Sequence, residues 1–214
     1  FDLILSDKIF QNIDSWKSIE LPMQGQHNVL NCLASITVAI EMGIKENHIR
    51  ESLKNFKGIK RRFENKGISK SGIKIIDDYG HHPVEISYAL SSGRILAKKN
   101  KLIAIFQPHR FSRLRDLFNE FCSCFNNADY VFIIDVYSAG EEKIEGFNKE
   151  TLAEGITDHG HNNVSVINNE NEIYHKISNI AGADDVVIFL GAGNITKFSD
   201  KIISEINNLE ASYG

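Results

Sequence analysis

Cysteine, proline and tryptophan are scarce in this sequence of 214 residues, which contains three, three and one of them respectively. An odd number of cysteines does not form the paired disulfide framework that holds small secreted domains together. Cys122 and Cys124 are separated by one residue, which differs from the usual spacing of zinc and redox motifs. The sequence therefore predicts buried, reduced thiols in a cytoplasmic protein.

Positive charge is not in excess either, because the formal net charge is -4 and both signs are mixed along the chain. Binding to a phosphate backbone requires a basic stripe, so we expect no nucleic-acid partner. No apolar run approaches the length of a membrane span and no signal peptide opens the chain, so we expect no membrane association. The length allows one full domain plus part of another.

An initiator methionine and a phosphate-binding loop are also missing from the sequence. The chain begins with “FDLILSDKIF”, which is typical of a strand inside a sheet domain. We therefore expect a fragment whose N-terminal part is missing. No segment matches G-x-x-x-x-G-K-[ST], the loop that binds a nucleoside triphosphate through its backbone amides. We expect no triphosphate site built from this chain alone.

Helical periodicity dominates the first part of the chain. Residues 28–42 carry apolar side chains at helical spacing, which predicts an amphipathic helix, and residues 45–58 predict a second, shorter one. The segment 58–72 is polar and contains glycines, which predicts a domain boundary. We place the two domains at residues 1–60 and 61–214.

Short apolar runs alternate with helical segments from residue 73 onward. The predicted strands are “IKIIDDY”, “KLIAIFQ”, “YVFIIDV”, “NVSVI” and “DVVIFLG”, and one predicted helix covers residues 112–127. This alternation predicts an α/β fold with a Rossmann-like, mostly parallel sheet covered by helices on both faces. In such sheets, ligands bind beyond the carboxyl ends of the strands.

Polar residues and glycines gather at the carboxyl ends of four predicted strands. They are Asp78, Tyr79, Gly80, His81 and His82; Gln107, His109, Arg110, Ser112 and Arg113; Asp135, Tyr137, Ser138 and Gly140; and Gly191, Gly193 and Asn194. Turn chemistry or helix capping is a sufficient explanation for any single one of them. Polar residues at the ends of four strands favour a binding site, because a sheet with a purely structural role does not need them at one edge alone.

The residue types at these strand ends indicate chemistry with anions. Arg110 and Arg113 lie three residues apart at the start of a predicted helix, so both can clamp a carboxylate or phosphoryl oxygen. Positive charge there opposes the helix dipole unless an anion lies nearby, which favours function over a solvated helix start. His81 follows a glycine and could orient a substrate carboxylate or transfer a proton. We assign His82 to structure and expect Arg115 to be solvated.

The segment “GAGNIT”, residues 191–196, is a weaker signal. It joins a strand to a helix but is shorter than the dinucleotide-binding fingerprint. Alone it predicts a tight turn, in a position that suits a nearby phosphate or carboxylate.

Six motifs together resemble the Mur ligases of peptidoglycan synthesis over nearly the whole chain. In order, they are “GQHNVLNCLASITVA”, “GIKRRFE”, “DDYGHHPVEI”, “FQPHRFSRLRDLFNEF”, “DVYSAGE” and “GAGN”. The resemblance implies three domains: one for a UDP-sugar, a central ATPase and a C-terminal Rossmann-like domain. Residues 1–60 would then be the tail of the ATPase domain, and the phosphate loop and magnesium ligands would lie upstream of Phe1.

The same resemblance implies an ATP-dependent amide-bond ligase that uses Mg²⁺. “DYGHHP” and “QPHR” are most similar to members that join L-alanine to UDP-N-acetylmuramate through an acyl phosphate. Two alternatives stay open: a family member that recycles whole tripeptides, and a non-catalytic Rossmann-like nucleotide-binding module. The loaded sheet edge argues against a third, a purely structural domain.

For the nucleotide, the resemblance implies contacts from both predicted domains. Asn28 and Asn31 would contact the adenine end of ATP, with His27 a weaker candidate, and Asn28 could also cap its helix. Arg62 would reach the nucleotide from a hinge, and Asp78 would bind the ribose hydroxyls. Of their two neighbours, Arg61 is expected to be solvated, and Asp77 could equally be a strand-end residue.

For the amino acid, the resemblance implies contacts from the C-terminal domain. His81, Arg110 and Arg113 would contact the incoming amino acid and the reacting centre, with Tyr79 packing beside them. Because ATP and amino-acid contacts would come from different domains, domain closure at a hinge near residues 58–67 would assemble the site.

Overall fold

The computed structural model of this chain describes residues 1–5, 15–23 and 25–213. These residues form two compact units, Phe1–Ile59 and Lys60–Gly214. The strand predicted from “FDLILSDKIF” falls partly outside the described residues, which stop at residue 5 before resuming at residue 15. The assignment of the first unit to the tail of an ATP-binding domain stays a prediction.

Two helices, α1 (Gln26–Glu41) and α2 (Glu46–Lys54), form most of the described first unit. Both were predicted, although α1 begins at Gln26 rather than at residue 28. Gly43 follows α1 with φ 73°, a conformation that ends helices and that glycine adopts without strain. The buried apolar side chains of this unit are Leu5, Trp16, Ile19, Cys32, Ile36 and Ile49.

A six-stranded sheet forms the centre of the second unit, in the order β1-β2-β6-β3-β4-β5. The strands are β1 (Glu64–Ile68), β2 (Lys74–Asp78), β3 (Leu102–Phe106), β4 (Tyr130–Ile133), β5 (Val164–Val166) and β6 (Val186–Leu190). All neighbouring pairs from β2 across to β5 are parallel. The predicted α/β fold with a mostly parallel sheet is confirmed.

Strand β1 is the element that the sequence did not predict. It pairs antiparallel with β2 at the edge of the sheet, inside the segment predicted to be only a polar boundary. Its sequence, “ENKGI”, lacks the alternation and the β-branched residues that indicate a strand. Tertiary packing, rather than local propensity, stabilises this strand. The side chain of Ile203 in α8 (Thr196–Tyr213) packs so close to Gly67 that a Cβ added to this glycine would lie 3.0 Å from it.

Helices cover both faces of the sheet. One face packs against α3 (Pro83–Ala97), α4 (Phe111–Asp116), α5 (Phe118–Ser123) and α6 (Lys149–Asp158), and the other against α7 (Glu170–Ile180) and α8. Side chains along β3 alternate between these two layers, with Phe106 in the first and Ile105 in the second. In the part of the chain that the structure describes, no helix is long and apolar enough to span a membrane.

The single helix predicted over residues 112–127 is wrong, because the segment forms two helices, α4 and α5. The break lies at Leu117, which has φ -121° and ψ 27°. It lets the aromatic side chains face different partners: Phe118 packs edge-on against Phe147, and Phe121 packs against Phe106 in the core. As a result, Arg113 lies in the last turn of a short helix, not at the start of a long one.

Candidate functional site

Six polar and aromatic side chains meet beyond the carboxyl ends of β2, β3 and β4. We call these residues the rim: Tyr79, His81, His109, Arg110, Arg113 and Tyr137. The His81 ring lies 5.2 Å from the Tyr79 ring and 5.9 Å from the His109 ring, measured between centroids. The His109 ring stacks on Tyr137 at 5.3 Å. Side chains predicted to share one sheet edge therefore do lie together.

Backbone pairing beyond β3 and β4 fixes this arrangement. The Arg110 N–H donates to the Tyr137 carbonyl, and the Tyr137 N–H donates to the Pro108 carbonyl, both at 2.8 Å. Arg110 has φ 74°, which is uncommon for a residue with a side chain. Backbone strain of this kind persists where the surrounding structure enforces it, and it is common at functional sites.

His81 presents one ring nitrogen that can take up a proton. Its Nδ1 lies 3.0 Å from the Tyr79 carbonyl oxygen and 3.3 Å from a carboxylate oxygen of Glu85. Because both neighbours can only accept, Nδ1 carries the hydrogen in the neutral ring, and Nε2 keeps its lone pair. His82 instead accepts the Val84 N–H and caps α3, so its structural assignment is confirmed.

Arg113 supplies a positive charge that no described acidic residue balances. Its Nη1 donates to the His109 carbonyl at 3.0 Å and lies 3.3 Å from the His109 Nδ1. Burial, followed by the charge of Arg113, lowers the pKa of His109 and keeps its ring neutral at pH 7. Within the described ranges, Arg113 forms no ion pair, so its half-buried guanidinium is available to an anion.

Arg110, in contrast, is already paired with a carboxylate. Its Nη1 lies 3.2 Å from Glu141, which also accepts the Ser112 hydroxyl at 2.8 Å and the Ser112 N–H at 3.0 Å. The anion that we expected near this helix start is therefore supplied by the chain itself. Arg113 lies in the last turn of the six-residue helix α4, so the helix dipole gives no support for an external ligand there.

Arg61 lies beneath the rim, so the expectation that it is solvated is wrong. Its Nη2 donates to the carbonyls of Gly191 and Gly193 at 2.6 and 3.2 Å, and its guanidinium lies 4.8 Å from the Tyr79 ring centroid. Its Nε lies 4.0 Å from the fully buried carboxylate of Asp77. That carboxylate also accepts the Thr196 hydroxyl at 2.6 Å. Arg61 thus ties the ends of β2 and β6 together.

Asp78 is the last residue of β2, and both of its carboxylate oxygens accept hydrogen bonds. One accepts the Gly80 N–H and the other the Phe63 N–H, each at 2.7 Å, and the residue is 9% exposed. Burial raises the pKa of Asp78 to about 6, although these two hydrogen bonds act in the opposite direction. A ribose hydroxyl would have to bind a lone pair that these amides leave free.

The raised pKa of Asp78 makes stability depend on pH. Because its folded-state pKa of about 6 exceeds the ordinary 3.8, its stabilising contribution is complete below pH 3.8 and is lost as pH rises through 6. We expect the free energy of unfolding of Asp78→Asn to fall less between pH 5 and 7 than that of wild type. The difference in slope is at most about 1.4 kcal/mol per pH unit.

Urea denaturation at pH 5, 6 and 7 measures this difference. His109 acts in the opposite sense, because its pKa is lowered, so the difference between the two proteins is the readout rather than the wild-type slope. Parallel pH profiles for the two proteins would contradict the assignment of this titration to Asp78.

The turn from β6 to α8 closes the site on a third side. Gln107 donates to the Asn194 side chain at 2.8 Å and accepts the Ile195 N–H at 3.1 Å. A Cβ on Gly193 would lie 2.7 Å from the Tyr137 ring, so only glycine fits there. A cleft of about 190 Å³ opens beside Gln107 and is lined by Ile134, Asp135, Ile167, Asn168, Asn169, Glu170, Ile173, Asn194 and Phe198.

The remaining nucleotide candidates are distributed over both units. Asn28 is buried in α1 and Asn31 is exposed on it. The suggestion that Asn28 caps this helix is wrong, because the N-cap is Gly25. Arg62 is exposed in the second unit. The side chain of His27 lies outside the described part of the chain.

Sequence reasoning missed three contributors to the site. His109 belongs to the quoted “FQPHR” and received no role, although its ring lies between His81 and Tyr137. Glu141 ends the quoted “DVYSAGE”, but nothing in that motif indicates its contact with Arg110. Arg61 stands next to the chosen Arg62. Over the described ranges, no group of three or more His, Cys, Asp or Glu could hold a metal ion.

Comparison with known proteins identifies the family of this chain. The family described as “Mur ligase, glutamate ligase domain” matches residues 61–193. A UDP-N-acetylmuramate–L-alanine ligase of Rhodospirillum rubrum is 46% identical over 210 residues, which cover 98% of this chain and 43% of that protein. The chain therefore spans less than half the length of this relative.

Solved structures give the same result for the fold. A UDP-N-acetylmuramate-alanine ligase of Thermotoga maritima matches with a TM-score of 0.72 and 27% identity, over 90% of this chain and 40% of that one. A murein peptide ligase of Psychrobacter arcticus matches with a TM-score of 0.66 and 22% identity, over 89% of this chain and 39% of that one. The second similarity shows the fold alone.

Proposed function

The chain belongs to the Mur ligase family, and from that premise we propose that it is the C-terminal part of an ATP-dependent ligase that joins L-alanine to UDP-N-acetylmuramate in cytoplasmic peptidoglycan synthesis. One observation carries the choice of reaction: the rim combines an unbalanced guanidinium, Arg113, with a histidine whose Nε2 can accept a proton. These two groups match the two ends of an amino-acid substrate. One binds its carboxylate, and the other takes the proton that its ammonium group must lose.

The proposed reaction has two steps. A phosphoryl group passes from ATP to the muramoyl carboxylate, which gives an acyl phosphate and ADP. The alanine amine then attacks the acyl carbon, the bond from that carbon to the phosphate oxygen breaks, and inorganic phosphate leaves as the amide forms. Negative charge grows on oxygen atoms in both steps, so fixed positive charges stabilise the transition states.

The rim residues have distinct parts in this reaction. Arg113 and Arg110 hold the alanine carboxylate, and His81 Nε2 removes a proton from the ammonium group so that the amine can attack. Tyr79 packs against the His81 ring and fixes its orientation. His109 remains neutral and holds Arg113 through its carbonyl and ring nitrogen.

Some of the residues assigned to the nucleotide are accessible to a ligand. Arg62 and Asn31 are exposed, so both can reach a ligand, whereas Asp78 is largely enclosed by its two amide partners. Asn28 would assist from α1 at the adenine end. Residues that could hold Mg²⁺ are not grouped in the described ranges, so we place its ligands upstream and derive no step from it.

An activity assay tests the proposal. The chain extended by the upstream sequence of its own gene is expected to release phosphate only when ATP, UDP-N-acetylmuramate and L-alanine are all present. The 214-residue chain alone is expected to fold but to turn nothing over. Turnover by the short chain would contradict the need for upstream domains. Preference for a tripeptide over L-alanine would identify the recycling ligase, and micromolar dinucleotide binding by the short chain would favour a binding module.

A further inference from the structure

The charges at the rim are balanced unequally between its two arginines. Arg110 is neutralised by Glu141, which accepts three hydrogen bonds from Arg110 and Ser112. The bonds from Ser112 lower the pKa of Glu141, so this carboxylate is ionised at neutral pH. Among the residues that the structure describes, the partners of Arg113 are the carbonyl and ring nitrogen of His109. Of the two rim arginines, only Arg113 therefore has a positive charge that no described carboxylate pairs with.

The other carboxylate near the rim, Glu85, does not change this balance at Arg113. It accepts the N–H groups of His81 and His82 at 3.0 and 3.2 Å and lies in the first turn of α3. Its role there is to cap the helix and support the His81 ring. Of these two carboxylates, Glu141 is the one that pairs with a rim arginine.

We propose that Glu141 is a specificity-determining residue, which makes the rim accept an amino acid with one carboxylate and reject one with an acidic side chain. This inference rests on the proposed function. A single carboxylate uses the charge that Arg113 offers. A second carboxylate on the same ligand would have to lie beside Arg110, whose charge Glu141 already cancels, and would be repelled by Glu141.

Asparagine and aspartate form the matched pair of ligands that tests this charge effect. Their side chains have nearly the same shape and differ by one negative charge, so a ratio of their inhibition constants cancels size. The chain extended by its upstream sequence is assayed with L-alanine as substrate and L-asparagine or L-aspartate as inhibitor. We expect L-asparagine to inhibit wild type more strongly than L-aspartate, and Glu141→Gln to reduce this preference about tenfold.

Two controls separate charge from structure. Glu141→Gln keeps an oxygen that can accept the Ser112 N–H, and a loss of helix capping alone would weaken both inhibitors equally. Glu142→Gln removes a neighbouring, exposed charge outside the rim and is expected to keep the wild-type ratio. If Glu141→Gln does not fold, the salt dependence of wild type answers the same question. Raising NaCl from about 0.05 to about 0.5 M should reduce the preference for L-asparagine, because partly exposed charges are screened.

Each outcome decides the matter. A ratio that is unchanged in folded Glu141→Gln, or that is insensitive to salt in wild type where the variant does not fold, overturns the role of Glu141. If neither amino acid inhibits either protein, size rather than charge excludes them and the inference is wrong. Absence of L-alanine turnover by the extended wild-type protein would overturn the proposed function, and this inference with it. Normal turnover with an unchanged ratio overturns the inference alone.

Discussion

Arg113→Ala is expected to lower turnover of L-alanine by about 100- to 1,000-fold in the chain extended by its upstream sequence. Arg113 is the one rim cation without a described carboxylate partner. Under the proposed function, its charge is therefore available to the substrate carboxylate and to the oxyanion that develops nearby. A charge-assisted contact of this type typically contributes about 2.7–4 kcal/mol to lowering the barrier. Steady-state phosphate release measures the effect.

The fold should survive this substitution. Arg113 donates to His109 and to no other described residue, so its loss removes one local contact from the surface of α4. Arg115→Ala is the matched control, since Arg115 lies on the same helix, pairs with Asp116 and has 48% of its side chain exposed. It should retain turnover close to wild type. Thermal unfolding of both variants checks that a loss of activity is not a loss of structure.

Arg110→Ala should also lower turnover strongly, for a related reason. Its loss leaves Glu141 with an unbalanced negative charge. Under the proposed function, this charge would lie next to the substrate carboxylate, which would also lose one of the two arginines that hold it. Double substitution with Glu141→Gln should then recover part of the loss, because the repelling charge is gone. If Arg110→Ala and Arg113→Ala both turn over L-alanine at the wild-type rate, neither arginine belongs to the reacting site.

The sequence predicted elements that carry their own signal. Buried parallel strands such as β3 and β6 are continuous apolar runs. Because the carboxyl ends of parallel strands lie at one edge of a sheet, the convergence of His81, Arg110 and Arg113 could be predicted without knowing the strand order. Strand β1 and the break at Leu117 could not, because tertiary packing decides them against weak or misleading local propensity.

Side-chain partners inside the site were less accessible to sequence reasoning. Glu141 reaches Arg110 through a loop whose course depends on the pairing of Tyr137 with the segment after β3, and no local pattern specifies that pairing. No local pattern separates Arg61, which contacts Gly191 and Gly193, from its neighbour Arg62. Arg61 has φ 58°, which helps to turn its side chain under the sheet edge and leaves Arg62 exposed.

Arg61 was expected to be solvated but is partly buried, and this difference leads to the second large expected effect. Arg61→Ala should lower the free energy of unfolding by about 3 kcal/mol, because it leaves the buried Asp77 carboxylate without its nearest cation. The carbonyls of Gly191 and Gly193 lose a charged donor at the same time. The estimate is at the lower end of the range for a broken buried pair, since the closest Arg61–Asp77 approach is 4.0 Å. Urea denaturation of the chain measures it.

Arg62→Ala, one residue away, is the matched comparison, and its free energy of unfolding is expected to stay close to that of wild type. Arg62 is exposed and has no buried partner in the part of the chain that the structure describes, so its loss should change stability by no more than about 0.5 kcal/mol. Under the proposed function, however, Arg62→Ala should raise the KM for ATP in the extended protein. Arg61→Lys keeps the charge near Asp77, so it should be more stable than Arg61→Ala. Equal stability of Arg61→Ala and wild type would show that Arg61 does not hold the sheet edge together. A large loss of stability in Arg62→Ala would show that both arginines stabilise the sheet edge. The assignment of a structural role to Arg61 and a nucleotide-binding role to Arg62 would then be wrong.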